Sequence, residues 1–160
     1  MRRVRADQTQ LTQIARAEPG DAFALAALEL QLNREQGRPG EDGFLDRYAD
    51  AWLTERDRRP AWLAKSLDGR PLGAVTLFVV DGLPRPGRRA RPWVHVTNLY
   101  VAQGARRAGL GERLLHAGLE WSRDNRALWV QLGATSSGAG LYRRAGFTPA
   151  DARLLRLDLP

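Results

Sequence analysis

The feature that most limits what this chain can become is a strand that runs through a short loop into a glycine-marked helix, over residues 94–123. Val94, Val96, Asn98 and Tyr100 alternate with His95, Thr97, Leu99 and Val101, which is strand spacing. The loop Ala102-Gln103-Gly104-Ala105-Arg106-Arg107-Ala108-Gly109 follows, and the period then changes. Leu110, Leu114, Leu115, Gly118, Leu119 and Ser122 fall on one helical face, with Arg113, His116, Glu120 and Arg123 on the other. A helix start presents unpaired N–H groups and a partial positive charge, so it attracts anions. Gly109 and Gly111 keep side chains out of the way and permit unusual backbone angles. Arg106 and Arg107 add charge at the mouth. Alone, a Gly-x-Gly is also what a closely packed structural loop would show. It is not the dinucleotide fingerprint, which needs a third glycine, and no Gly-Lys-Ser/Thr makes it a P-loop.

The rest of the chain frames this unit. Residues 2–5 suit a short strand, and a turn of helix is expected from Asp7 or Thr9 through Leu11, Ile14 and Ala15. Pro19-Gly20 breaks it, with Asp21 as N-cap of a helix over 21–34 striped by Leu25, Leu28 and Leu32. A second amphipathic helix is expected over 41–56 through Phe44, Leu45, Tyr48, Trp52 and Leu53. The period then shortens. Residues 61–67 and 72–80 read as strands joined by the hairpin signal Asp68-Gly69-Arg70. Residues 81–92 carry three prolines, two glycines and four arginines and read as a loop. After the strand at 93–101 and the helix at 111–123 come a strand at 127–134, a short helix at 137–145 and a last strand at 153–159. Antiparallel strands thus lead into one parallel β-α-β unit. The expected class is α/β (α+β): a mixed, mostly antiparallel sheet with a central parallel β-α-β unit and helices on both faces. Residues 1–160 are read as a single domain.

Composition narrows the chemistry. There is no cysteine, hence no thiolate metal site and no cysteine nucleophile, and two histidines, His95 and His116, make a histidine-rich metal site unexpected. The net charge of +7 is carried almost wholly by arginine, with Lys65 the only lysine. These charges are dispersed among acids, which argues against a nucleic-acid-binding face. Arg85, Arg88, Arg89 and Arg91 read as a solvated loop tip. Trp52, Trp62, Trp93, Trp121 and Trp129 read as core or half-buried packing rather than a stacking platform. No apolar run reaches membrane-spanning length, and the basic N-terminus has no apolar stretch behind it, so a cytoplasmic protein is expected.

Two segments together carry a resemblance. Arg106-Arg107-Ala108-Gly109-Leu110-Gly111 resembles the Q/R-x-x-G-x-G/A signature of the GNAT superfamily of acyl-CoA-dependent N-acyltransferases. Leu141-Tyr142-Arg143-Arg144-Ala145-Gly146-Phe147 resembles its downstream L-Y-x-x-x-G-F element. One helix and one strand separate them, as in the family, and the element order is similar across nearly the whole chain.

The resemblance implies acetyl-CoA as co-substrate. Its pyrophosphate would lie at Arg106, Arg107, Ala108, Gly109, Leu110 and Gly111, and its pantetheine arm along the backbone of Leu99, Tyr100 and Val101. No metal is implied. The acetyl group would pass directly to a primary amine, on a small molecule or peptide, without an acyl-enzyme. By match to the motif Tyr142 is the general acid for the leaving thiolate: thiols have pKa ~8.5 and tyrosine ~10, while the amine, pKa ~10.4, must lose a proton. The chain departs from the family pattern twice. Thr135, next to Ser136 and Ser137, stands where an asparagine often contacts the cofactor, so Thr135 or Ser137 is expected to hold pantetheine. His95 stands on the face that often carries a glutamate base, and His95, directly or through water, is the candidate base; a strand histidine satisfied by a backbone partner is the competing reading. Acceptor selection is expected from residues 36–42 and from the C-terminal strand. A non-catalytic acyl-CoA-binding domain with a sensing or regulatory role is the alternative, and a homodimer stays open.

Overall fold

In the computed structural model, which describes residues 12–151, 153 and 155–159, five strands form one sheet in the order β1-β2-β3-β4-β5. They are β1 (Gln13–Arg16), β2 (Ala61–Lys65), β3 (Pro71–Val80), β4 (Trp93–Val101) and β5 (Val130–Gln131). Neighbours run antiparallel until β4 and β5, which are parallel. The helices are α1 (Ala22–Glu35), α2 (Phe44–Thr54), α3 (Leu110–Asp124) and α4 (Ala139–Arg144).

Each face of the sheet is closed by its own helices because the central strands β2 and β3 are apolar on both sides. Ala61, Leu63, Ala74 and Tyr100 pack against Ala22, Leu25 and Leu28 of α1 and Ala49 and Trp52 of α2. On the opposite face Trp62, Ala64, Val75, Leu77, Val94 and Val96 pack against Leu110, Leu114 and Leu115 of α3. Leu114 and Leu115 are fully buried, each contributing about 1.5–3 kcal/mol of burial. Gly73 lets β3 close on β4: a Cβ there would lie 2.7 Å from the Tyr100 carbonyl oxygen.

Three expected elements differ. The helical turn through Ile14 and Ala15 is instead β1, paired with β2 from Gln13↔Lys65 to Arg16↔Trp62. The open edge of β2 needs a hydrogen-bonding partner, and that tertiary demand overrides a weak local helical pattern. The strand expected at 2–5 lies outside the described residues. The strand expected at 127–134 shortens to Val130–Gln131. The strand expected at 153–159 is not formed among the described residues there. Leu155, Leu157 and Leu159 are 90%, 82% and 80% exposed, so their alternation meets neither a sheet edge nor an apolar face. Asp21 does occupy the N-cap position of α1, but its carboxylate accepts the Glu18 N–H and pairs with Lys65 at 2.5 Å rather than capping α1.

Candidate functional site

β4 holds the key irregularity. Its register with β3 runs Gly73↔Val101 to Thr76↔Asn98, then resumes at Leu77↔Val96, skipping Thr97. Thr97 is therefore a β-bulge, and its hydroxyl donates to the Thr76 carbonyl at 3.0 Å. One extra residue inverts the alternation. Val94, Val96, Leu99 and Val101 all join the α3-side cluster, while Thr97 and Asn98 both turn to the α1/α2 side. The strict alternation read from the sequence, which put Leu99 and Val101 on one face with His95 and Thr97, holds only up to the bulge.

On the other edge of β4, β5 pairs at Val94↔Val130 and His95↔Gln131 and then leaves. From residue 96 to 101 that edge has no strand partner among the described residues. Tyr100 presents its carbonyl to β3 and Ala102 donates to Leu72 on the same side, so the backbone groups of Leu99 and Val101 face the open edge. Of the three residues expected along a pantetheine arm, Tyr100 turns its backbone away.

The chain leaves β4 through a 3-10 turn at Gln103–Ala105 and enters α3 at Gly109, which sits at φ 75°. Arg107 shares this left-handed conformation at φ 65°, unusual for a side-chain-bearing residue. No side chain caps α3, so the N–H groups of Leu110, Gly111 and Glu112 stand at the helix mouth. The Leu110 side chain is buried beneath them, Ala108 is half-buried and Arg107 is exposed. Backbone donors of this kind fit a pyrophosphate.

Arg106 is engaged elsewhere. Its Nε donates to the Val101 carbonyl at 2.8 Å, and its guanidinium pairs with Glu35 at 2.5 Å while lying 5.7 Å from the Tyr100 ring centre. The Tyr100 hydroxyl donates to the second Glu35 oxygen at 2.5 Å. Burial, with the Glu35 carboxylate beside it, pushes the Tyr100 hydroxyl up to about 12. The loop between β4 and α3 is thereby tied to the C-terminal end of α1.

The second motif docks on the first. Leu141 and Tyr142 of α4 join Phe147 in the α3-side cluster, and a Cβ on Gly111 would lie 3.9 Å from Leu141 and 3.7 Å from Val101. The Tyr142 and Phe147 rings meet edge-on, 6.0 Å between centres. Gly138 is required behind Tyr142, because a Cβ would come within 2.8 Å of the ring. Burial raises the Tyr142 pKa, which keeps the hydroxyl protonated as an acid must be. Thr135 and Ser137 are exposed with their hydroxyls 3.3 Å apart, and Ser136 between them is exposed as well.

On the α1/α2 side the bulge opens a cavity of about 330 Å³ between Glu29 of α1, Tyr48 and Trp52 of α2, Thr76 of β3, and Thr97 and Asn98 of β4. Glu29 accepts from the Asn98 amide at 2.7 Å, and burial raises its pKa. Glu55, also in the wall, pairs with Arg59. His95 does not line this cavity; it sits on the last β4–β5 rung, between Phe78 and Gln131. Glu29 escaped the sequence reading because a glutamate beside a helix's leucine stripe looks solvated. The 36–42 loop stays exposed and outside the lining, with Asn33 holding the Pro39 carbonyl.

The surface elements are plain. Arg85, Arg88, Arg89 and Arg91 are all exposed. Trp52 and Trp62 are buried, Trp121 packs edge-on to Trp62, and Trp93 stacks on Trp129 at 5.8 Å, but Trp129 is 51% exposed rather than core. Among the described residues no helix is long and apolar enough to cross a membrane, and no cluster of three His, Asp or Glu side chains could hold a metal.

Comparison with known proteins decides what this geometry belongs to. The family described as the acetyltransferase (GNAT) family matches residues 25–147, both motifs included. The chain belongs to the GNAT family. Its fold is similar to that of a Trypanosoma brucei acetyltransferase, with 26% identity, a TM-score of 0.68 and coverage of 92% of this chain and 99% of that one. It is similar to a predicted acetyltransferase with acetyl-CoA from Clostridium acetobutylicum, at 17% identity and a TM-score of 0.76 over 92% and 96% of the two chains. A GCN5-related N-acetyltransferase from Ralstonia eutropha gives 20% identity and 0.68 over 91% and 98%. No curated protein sequence matches. The mixed sheet and the β4–α3–β5 unit are thus a GNAT fold, and family and neighbours support an acyltransferase.

Proposed function

We propose that this GNAT chain is an N-acetyltransferase that moves an acetyl group from acetyl-CoA directly to a primary amine. The observation that carries the reading is the parting of β4 from β5 beside an uncapped α3 N-terminus, in a chain whose fold is similar to that of a protein crystallised with acetyl-CoA.

The residues fit such a co-substrate. The N–H groups at the start of α3 and the left-handed Gly109 form a cradle for the pyrophosphate, helped by exposed Arg107. Leu99 offers its backbone groups and Val101 its N–H on the open edge to the amides of a pantetheine arm, the Val101 carbonyl being held by Arg106, with Thr135 and Ser137 as further hydroxyl partners. When bound, acetyl-CoA supplies the acyl group as an activated thioester. Tyr142, kept protonated by burial, donates a proton to the departing sulfur. Without cysteine no thioester can form on the protein, which agrees with direct transfer.

Acetyl-CoA at a hundredfold excess over its Kd is expected to raise the melting temperature by about 5–10 °C. No shift would remove the donor. Thiol release in the presence of amines is expected to fall about a hundredfold in Tyr142→Phe with the melting shift intact; an unchanged rate removes Tyr142 as the acid, and release from no amine favours the binding-only alternative.

A further inference from the structure

The cavity on the α1/α2 face is separate from the donor cradle, and its two carboxylates are not equivalent. Glu55 is neutralised by Arg59, whose guanidinium also lies 4.6 Å over the Phe78 ring. Glu29 is half-buried and receives one neutral donor, the Asn98 amide; among the described residues no cation pairs with it. A carboxylate withdrawn from water without a counter-charge costs free energy, and in a cleft a cationic ligand can supply that charge. The bulge aims Asn98 at this carboxylate. The next residue, Leu99, presents backbone to the open edge, so the chamber adjoins the point where β5 leaves β4.

We propose that this chamber takes the acceptor as a small primary ammonium ion carrying no carboxylate of its own, and that Glu29 both holds the ammonium and accepts its proton. This rests on the acyl-transfer reading above. The proton passes from nitrogen to the Glu29 carboxylate and on to water. The freed lone pair forms the C–N bond at the thioester carbonyl, the C–S bond breaks, and sulfur leaves with its electron pair and takes the Tyr142 proton. The second nitrogen proton is lost as the amide forms and, through water, restores Tyr142. An acceptor with its own carboxylate would set a like charge beside Glu29 and bind worse.

The test uses the whole chain with saturating acetyl-CoA. Phenethylamine and agmatine are each compared with the amino acid that differs by one carboxylate, phenylalanine and arginine. The two amines are expected to drive thiol release at least about tenfold better. Glu29→Gln is expected to lower kcat/KM for phenethylamine about a hundredfold and to remove the acid limb of its pH profile, with Tyr48, Glu55 and Arg59, the groups facing Glu29, unchanged. The acetyl-CoA melting shift should persist in that variant, and Glu29→Asp should recover part of the rate. Faster release with the amino acids, an unaltered rate in Glu29→Gln, or no release by any of the four while acetyl-CoA still raises the melting temperature would each overturn the proposal and leave the donor reading standing. Should Glu29→Gln fail to melt cooperatively, Glu29→Asp and the amine comparison in the unmodified chain decide.

Discussion

The two faces of β4 are built by different means. On the α3 side and along the open edge, the groups on offer are backbone: N–H donors at Leu110, Gly111 and Glu112, the backbone of Leu99 and the N–H of Val101, whose carbonyl is held by Arg106. On the α1/α2 side they are side chains: the Glu29 carboxylate, the Asn98 amide and the Tyr48 phenol. A backbone site tolerates change in side-chain chemistry and fails when a dihedral is lost. A side-chain site does the opposite, so each face has a substitution to which the other should be indifferent.

The largest effect is expected from Gly109→Val. A β-branched residue at φ 75° costs about 1–3 kcal/mol, and losing the helix-start geometry should weaken acetyl-CoA binding about 10- to 100-fold, read by calorimetric titration. Arg106→Ala should weaken it less, since that guanidinium serves Glu35 and Val101; a larger loss than with Gly109→Val would break the backbone-versus-side-chain contrast.

Next is Gly138→Ala, whose methyl must displace the Tyr142 ring. A misplaced acid should slow thiol release by about tenfold to a hundredfold while acetyl-CoA binding holds. Equal losses in both would mean that Tyr142 only shapes the cradle.

A stability measurement sharpens the other face. The Glu29 pKa is raised by burial, so the folded state holds that proton more tightly than the unfolded state. The resulting penalty is absent below the ordinary glutamate range and complete above the raised folded value. Glu29→Gln should therefore melt higher than the unmodified chain at pH 8 and gain nothing at pH 3.5. A lower melting point at pH 8 would show that Glu29 has a stabilising partner. The smallest effect is expected from His95→Asn. Because His95 lies outside the chamber, kcat/KM should stay within about tenfold, whereas a general base contributes about a hundredfold or more. A larger fall would move the base to His95.

This contrast also explains what could be read from the residues. Gly109 writes a backbone requirement into the sequence, and the strand–loop–helix that turns on it was legible from that glycine, whereas the clearance that Gly138 gives the Tyr142 ring is a side-chain contact that only the structure reveals. The central order of strands and helices was legible too, because period two and period 3.6 are distinct over 60–124. The α1/α2 chamber was not. Glu29 means something only once Thr97 turns Asn98 toward it, and a bulge leaves no mark in an alternation of apolar and polar residues. Ile14 and Leu155 failed for a related reason: whether a short apolar pattern becomes strand depends on a free edge, which β2 provides for Ile14, while among the described residues nothing takes up Leu155.

Glu35 and Glu29 ride on one rod. They lie six residues apart on α1, about 9 Å along its axis. One grips Arg106 on the loop before α3, and the other stands in the wall of the α1/α2 chamber. A rod cannot shift at one end alone, so sliding α1 to widen the chamber also tugs on the latch at the Val101 carbonyl.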